Sequence, residues 1–83
     1  MDAKVIAVNH VLGAMAVELE DKTYLVLEAS ARFILEIGDT IAADWQSGDV
    51  ITVKNVTKDN EFGAIVQKIA ESRGEAISSV SII

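Results

Sequence analysis

The chain has 83 residues, with seven basic and thirteen acidic side chains and a formal charge of −6. It has no Cys and a single His, which excludes disulfides, thiolate-held metals, iron–sulfur clusters and any site built from several His of one chain. Hydrophobic residues make up 51% and mean hydropathy is +0.35, rich for so short a chain.

The length fits one domain, residues 1–83, and a domain this small commonly needs reinforcement. With no disulfide available, self-association as a homo-oligomer, most simply a homodimer, is the expected source. Phosphate backbones are bound by Lys and Arg, so the acidic balance argues against nucleic acid and anionic membranes. No apolar run approaches the roughly 20 residues that span a bilayer. The start, Met1-Asp2-Ala3-Lys4-Val5, lacks a basic region followed by a long apolar core. A cytoplasmic location is the expectation.

Lys4 to Leu12 reads as a strand interrupted at Asn9-His10 and ended by Gly13, with a bend or bulge expected there. Ala14 to Glu20 alternates, with Met15, Val17 and Leu19 on one face and Glu18 and Glu20 on the other. Asp21-Lys22 reads as a turn and Thr23 to Leu27 as the returning strand. A two-residue loop pairs Leu19 with Tyr24 and Val17 with Val26. That register places Leu25 and Leu27 on the opposite face, as a packing or subunit contact. Asp-Lys is not a favoured two-residue pair, so a longer loop stays open.

Glu28 to Glu36 reads as a short helical turn or an irregular crossover. Gly-Asp-x-Ile then occurs twice, as Gly38-Asp39-Thr40-Ile41 and Gly48-Asp49-Val50-Ile51. Each copy sets a turn pair before a β-prone run, bracketing a short strand over Thr40–Trp45. Val50 to Val56 is β-branched and strand-like. The stretch 62–72 carries apolar residues at helical spacing, yet it also makes a hairpin partner for Val50–Val56, and the strand is favoured. Arg73-Gly74-Glu75 reads as a turn and 76–83 as a C-terminal strand or swapped tail. The expected core is Val5, Ala7, Met15, Val17, Leu19, Tyr24, Val26, Ile41, Ile51, Val53 and Val66.

Catalytic signals are weak. His10, the only ordinary general base near neutral pH, reads as structural or exposed. The carboxylates read as a solvated surface with turn-forming Asp39 and Asp49, and no calcium-loop pattern occurs. No catalytic residue, metal or cofactor is assigned. Trp45, Tyr24 and Phe62 are the candidate ligand or partner contacts. Leu25, Leu27, Val80 and Ile82 are the candidate subunit contacts.

The stretches Glu36-Ile37-Gly38-Asp39-Thr40-Ile41, Asn55-Val56-Thr57-Lys58 and Ile65-Val66-Gln67, with the strand start Lys4 to His10, resemble short bacterial small-β-barrel proteins over residues 4–68. The resemblance implies a compact barrel and carries no activity. The expected fold is an all-β barrel of five to seven strands, OB-like or related. The expected function is a non-catalytic interaction module acting as a homo-oligomer. The alternative is a small-ligand or nucleic-acid-binding barrel using Trp45 and nearby aromatics.

Overall fold

The computed structural model of the chain describes residues 2–30, 32–45 and 50–81. They form β1 (Asp2–Asn9), β2 (Ala14–Leu19), β3 (Tyr24–Ala29), β4 (Thr40–Ala42), β5 (Ile51–Asn55), β6 (Asn60–Ala70) and α1 (Arg73–Ser81). The strands pair antiparallel and close in the order β1-β2-β3-β6-β5-β4, with β4 returning to β1. The small all-β barrel expected from the sequence is present. Residues 62–70 are strand, not helix. The short strand expected to reach Trp45 ends at Ala42. The turn at Gly38-Asp39 is present, whereas Gly48-Asp49 and Ile82 lie outside the described residues.

The β2–β3 hairpin has a different register from the expected one. Lys22 N–H donates to Leu19 O at 3.0 Å and Leu19 N–H to Thr23 O at 2.8 Å, so three residues form the loop. Lys22 takes the left-handed conformation at φ 69°, as a type I turn followed by a left-handed residue requires. Val17 therefore faces Leu25 and Met15 faces Leu27, a slip of one residue from the expected pairing. Because side chains alternate, that slip turns the whole of β3 over. Leu25 and Leu27 lie in the barrel interior with Met15, Val17, Leu19, Ile41, Ile51, Val53 and Phe62. Their assignment as subunit contacts is corrected accordingly.

Two bulges adjust the barrel wall. Between Val5 and Ala7 the β1 register shifts, so Val5 packs inside while Ile6 and Ala7 both pack outside. A second shift, opposite Val26 and Leu27, passes over Gln67. It leaves Phe62 and Ala64 inside and brings Ala70 to the outer cluster. An extra residue of this kind breaks the alternation and bends the strand.

The outer cluster is Ile6, Ala7, Ala16, Val26 and Ala70, covered by Ala76 and Val80 of α1, with Tyr24 and Ile77 at its margin. Residues 73–81 are thus helix, and the expected C-terminal strand or swapped tail is not what residues 76–81 form. Ser72 caps the helix: its Oγ accepts Glu75 N–H at 3.1 Å, while the Glu75 carboxylate accepts Glu71 N–H. Ala76 and Val80 stand four residues apart, one turn along the same face. Val80 is only 1% exposed inside its own chain, so it too is corrected as a subunit contact. Among the described residues no helix is long and apolar enough to cross a membrane.

The observed register makes a direct prediction. Leu27→Ala removes a fully buried side chain and should cost about 2–5 kcal/mol in urea unfolding. Leu12→Ala, on an exposed turn, should stay within about 0.5 kcal/mol. Equal unfolding midpoints for the two variants would contradict the inward placement of Leu27.

Candidate functional site

One end of the barrel carries a groove of about 650 Å³ lined by His10, Val11, Leu12, Gly13, Arg32, Phe33 and Ile34. Its first wall is the β1–β2 turn. Asn9 Oδ1 accepts the N–H groups of Val11 at 3.0 Å and Leu12 at 3.1 Å, which shapes the turn from its own first residue. Asn9 Nδ2 donates to Val80 O at 3.0 Å, satisfying a carbonyl of the last helical turn. Ala29 N–H donates to Gly13 O at 2.7 Å and fastens the far side of the turn to β3. Val11 is held out at 86% exposure.

The second wall is the crossover from β3 to β4. Ser30 N–H donates to Gly63 O at 2.9 Å. A Cβ at Gly63 would stand 2.6 Å from Ser30 Oγ and 3.3 Å from Val50 Cγ1, so a larger residue there would have to displace the Ser30 hydroxyl. Leu35 plugs into the barrel interior. Asn55 Nδ2 donates to Ile34 O at 3.2 Å and to Asp39 Oδ2 at 2.9 Å.

Asp39 is the centre of the polar brace behind this wall. Asp39 N–H donates to Glu36 O at 3.1 Å across a turn in which Gly38 has φ 96°, the third position of a type II turn. Glu36 N–H donates back to Asp39 Oδ2 at 2.9 Å, and Lys58 Nζ reaches Asp39 Oδ1 at 3.1 Å. Burial pushes the Asp39 carboxyl up, but the hydrogen bonds from Asn55, Glu36 N–H and Lys58, with the Lys58 charge, outweigh it and hold the group below the ordinary carboxylate range. No buried side-chain nitrogen or oxygen among the described residues lacks a partner. The brace is therefore complete within the chain and serves the architecture.

Aromatic rings run from the groove into the core. His10 stacks on Phe33 with centroids 5.2 Å apart and planes 11° apart, and Phe33 meets Phe62 at 5.5 Å. Ile34 is 61% exposed beside them. Arg32 is exposed and makes no ion pair among the described residues. A second, smaller cleft of about 360 Å³ lies at Asp2, Lys4, Glu18, Glu20, Lys22 and Thr40. Part of its polar lining is engaged within the cleft: Asp2 N–H donates to Glu20 at 2.8 Å and Lys22 stands 3.7 Å from Glu18.

The sequence-predicted contact residues do not meet in one place. Phe62 is buried in the barrel interior, and half-buried Trp45 packs against the same core. Tyr24 packs beside the outer cluster under α1, and its hydroxyl donates to Glu18 Oε2 at 2.9 Å. His10 is exposed, as expected, but it is stacked on Phe33. Arg32 and Phe33 lie in the stretch Glu28 to Glu36, which the sequence leaves open between a short helical turn and an irregular crossover. The signal available for them was a cation and large apolar residues together in a segment with no strand or helix period. Among the described residues no three of His, Asp and Glu converge to hold a metal ion. Comparison with family models, curated proteins and solved structures finds no match.

The brace sets a pH dependence. Since the folded Asp39 carboxyl titrates below its unfolded value, its stabilisation is complete above the unfolded range and is lost as pH falls through the folded value. Asp39→Asn should lose about 2–3 kcal/mol near neutral pH, the scale of hydrogen bonds to a charged group. The gap between parent and variant should close on acidification. Urea titrations at a series of pH values measure it, and a gap that widens in acid would contradict the assignment.

Proposed function

We propose that the chain is a cytoplasmic, non-catalytic interaction module that self-associates as a homodimer through the C-terminal half of β6. The supporting observation is the pairing of that strand. β5 pairs with β6 only over Asn60–Ala64, and no described strand pairs the same edge from Ile65 to Ala70. That edge offers backbone donors and acceptors to another strand. Exposed Ile65 and Ile69, the latter 69% exposed, stand on this segment, and exposed Val50 adjoins β5. Lys68, the residue suited to blunting such an edge, is turned 3.4 Å from Glu75 of α1. Two copies meeting antiparallel along β6 would make a closed two-fold contact. The bacterial resemblance supports the barrel and adds no activity.

A second reading, small-ligand binding, is favoured by the His10–Phe33 stack in the open groove. It moves the site away from Trp45, Tyr24 and Phe62. Nucleic acid fits the −6 charge poorly.

Sedimentation velocity tests the leading reading. The parent chain should sediment as a dimer, and Ile69→Lys should shift it to monomer with an unchanged circular dichroism spectrum. A parent chain that stays monomeric at its highest soluble concentration would refute self-association.

A further inference from the structure

We infer that the groove between the β1–β2 turn and the β3–β4 crossover binds a small molecule made of a planar aromatic ring bearing a carboxylate or phosphate. The inference rests on the small-ligand reading and is independent of self-association along β6. Three observations carry it. The protein is acidic overall, yet among the described residues the lining holds Arg32 and no carboxylate. A permanently charged guanidinium with no ion-pair partner among those residues is a planar fork suited to two oxygens of an anion. The remaining lining supplies an aromatic and apolar wall: the His10 and Phe33 rings stack in nearly parallel planes, with Val11, Leu12 and Ile34 around them. Aromatic rings prefer stacked or edge-on partners of this kind. The volume, about 650 Å³, falls within the range of small-molecule sites.

The walls are also prepared for a ligand. Asn9 fixes the turn and Asn55 fixes the crossover, each by side-chain bonds to backbone. Little ordering of the backbone would accompany binding, which favours affinity. Ring stacking accounts for the flat half of the ligand, and Arg32 accounts for the anionic half.

The test is an NMR titration of the full chain with naphthoate, its neutral amide naphthamide, adenosine monophosphate and adenosine. At least one anion should give saturable shifts at His10, Val11, Leu12 and Phe33. Its neutral counterpart should bind about tenfold more weakly, as expected for loss of a charge-assisted pair. Preference for naphthoate identifies an aryl acid, and preference for the monophosphate identifies a nucleotide. Arg32→Gln, at an exposed position, should leave the ligand-free spectrum unchanged away from residue 32 and weaken the anion about tenfold. Equal binding of anion and neutral counterpart, or of parent and Arg32→Gln, would overturn the anionic assignment while leaving a ligand groove. Absence of saturable shifts with all four compounds, or shifts confined to other surfaces, would overturn both.

Discussion

Strands β2 and β3 are apolar on both faces, and the rest of the molecule is arranged around that fact. Met15, Val17, Leu25 and Leu27 fill the barrel interior, while Ala16 and Val26 leave an apolar outer wall. A barrel alone buries only the first set. Helix α1 covers the second, and it does so with little: Ala76, Val80 and the flank of Ile77. The seat is shallow because Ala7, Ala16 and Ala70 keep the wall low, so a short helix with small side chains can approach it. A nine-residue helix is too short to be stable in isolation, and here the packing supplies what intrinsic propensity does not. The bulges in β1 and β6 complete the seat by turning Ala7 and Ala70 outward.

That docking reaches the groove through one side chain. Asn9 belongs at once to the end of β1, to the turn presenting Val11 and Leu12, and to the last turn of α1. Helix position and turn shape are therefore mechanically joined. On the opposite wall Asn55 has the same double office, holding Ile34 O and the Asp39 carboxylate. Both residues are short amides with donor and acceptor at fixed separation, which suits them to bridging two backbone segments. The exposed apolar residues of the groove are carried by rigid supports. The polar groups behind them are fully paired, which assigns the Asp39 cluster to holding the fold.

Much of the barrel was legible in the residues. The alternation of Met15, Val17 and Leu19 gave the correct inward face of β2, and the β-branched run from Ile51 marked β5. The hairpin logic that preferred strand over helix for 62–69 was sound because β6 does return along β5. The β3 register differs for a local reason: the unfavoured Asp-Lys pair left a longer loop open, but Lys22 adopts the left-handed conformation that glycine or asparagine usually supplies, so nothing in the residues marked a three-residue loop as the one formed. That one-residue error inverted Leu25 and Leu27 and made a core look like a contact surface. The helix was missed although Ser72-Arg73-Gly74-Glu75 has the capping-box spacing, because Gly74 and the Ile, Val and Ser residues that follow favour other conformations. The groove was not legible, since His10 and Phe33 are far apart in sequence and only closure of the barrel stacks them.

The two exposed apolar regions call for different chemistry. Along Ile65–Ala70 a backbone edge that no described strand pairs accompanies exposed Ile side chains, a combination suited to a second strand more than to a small molecule. At the groove part of the backbone is already engaged: Asn9 takes the N–H groups of Val11 and Leu12, and Asn55 takes Ile34 O. The groove also presents a ring stack with a guanidinium in the same lining, which gives a flat anion much to contact. On the two proposals, a sheet edge with unpaired backbone suits another strand, whereas an aromatic and cationic lining suits a small anion.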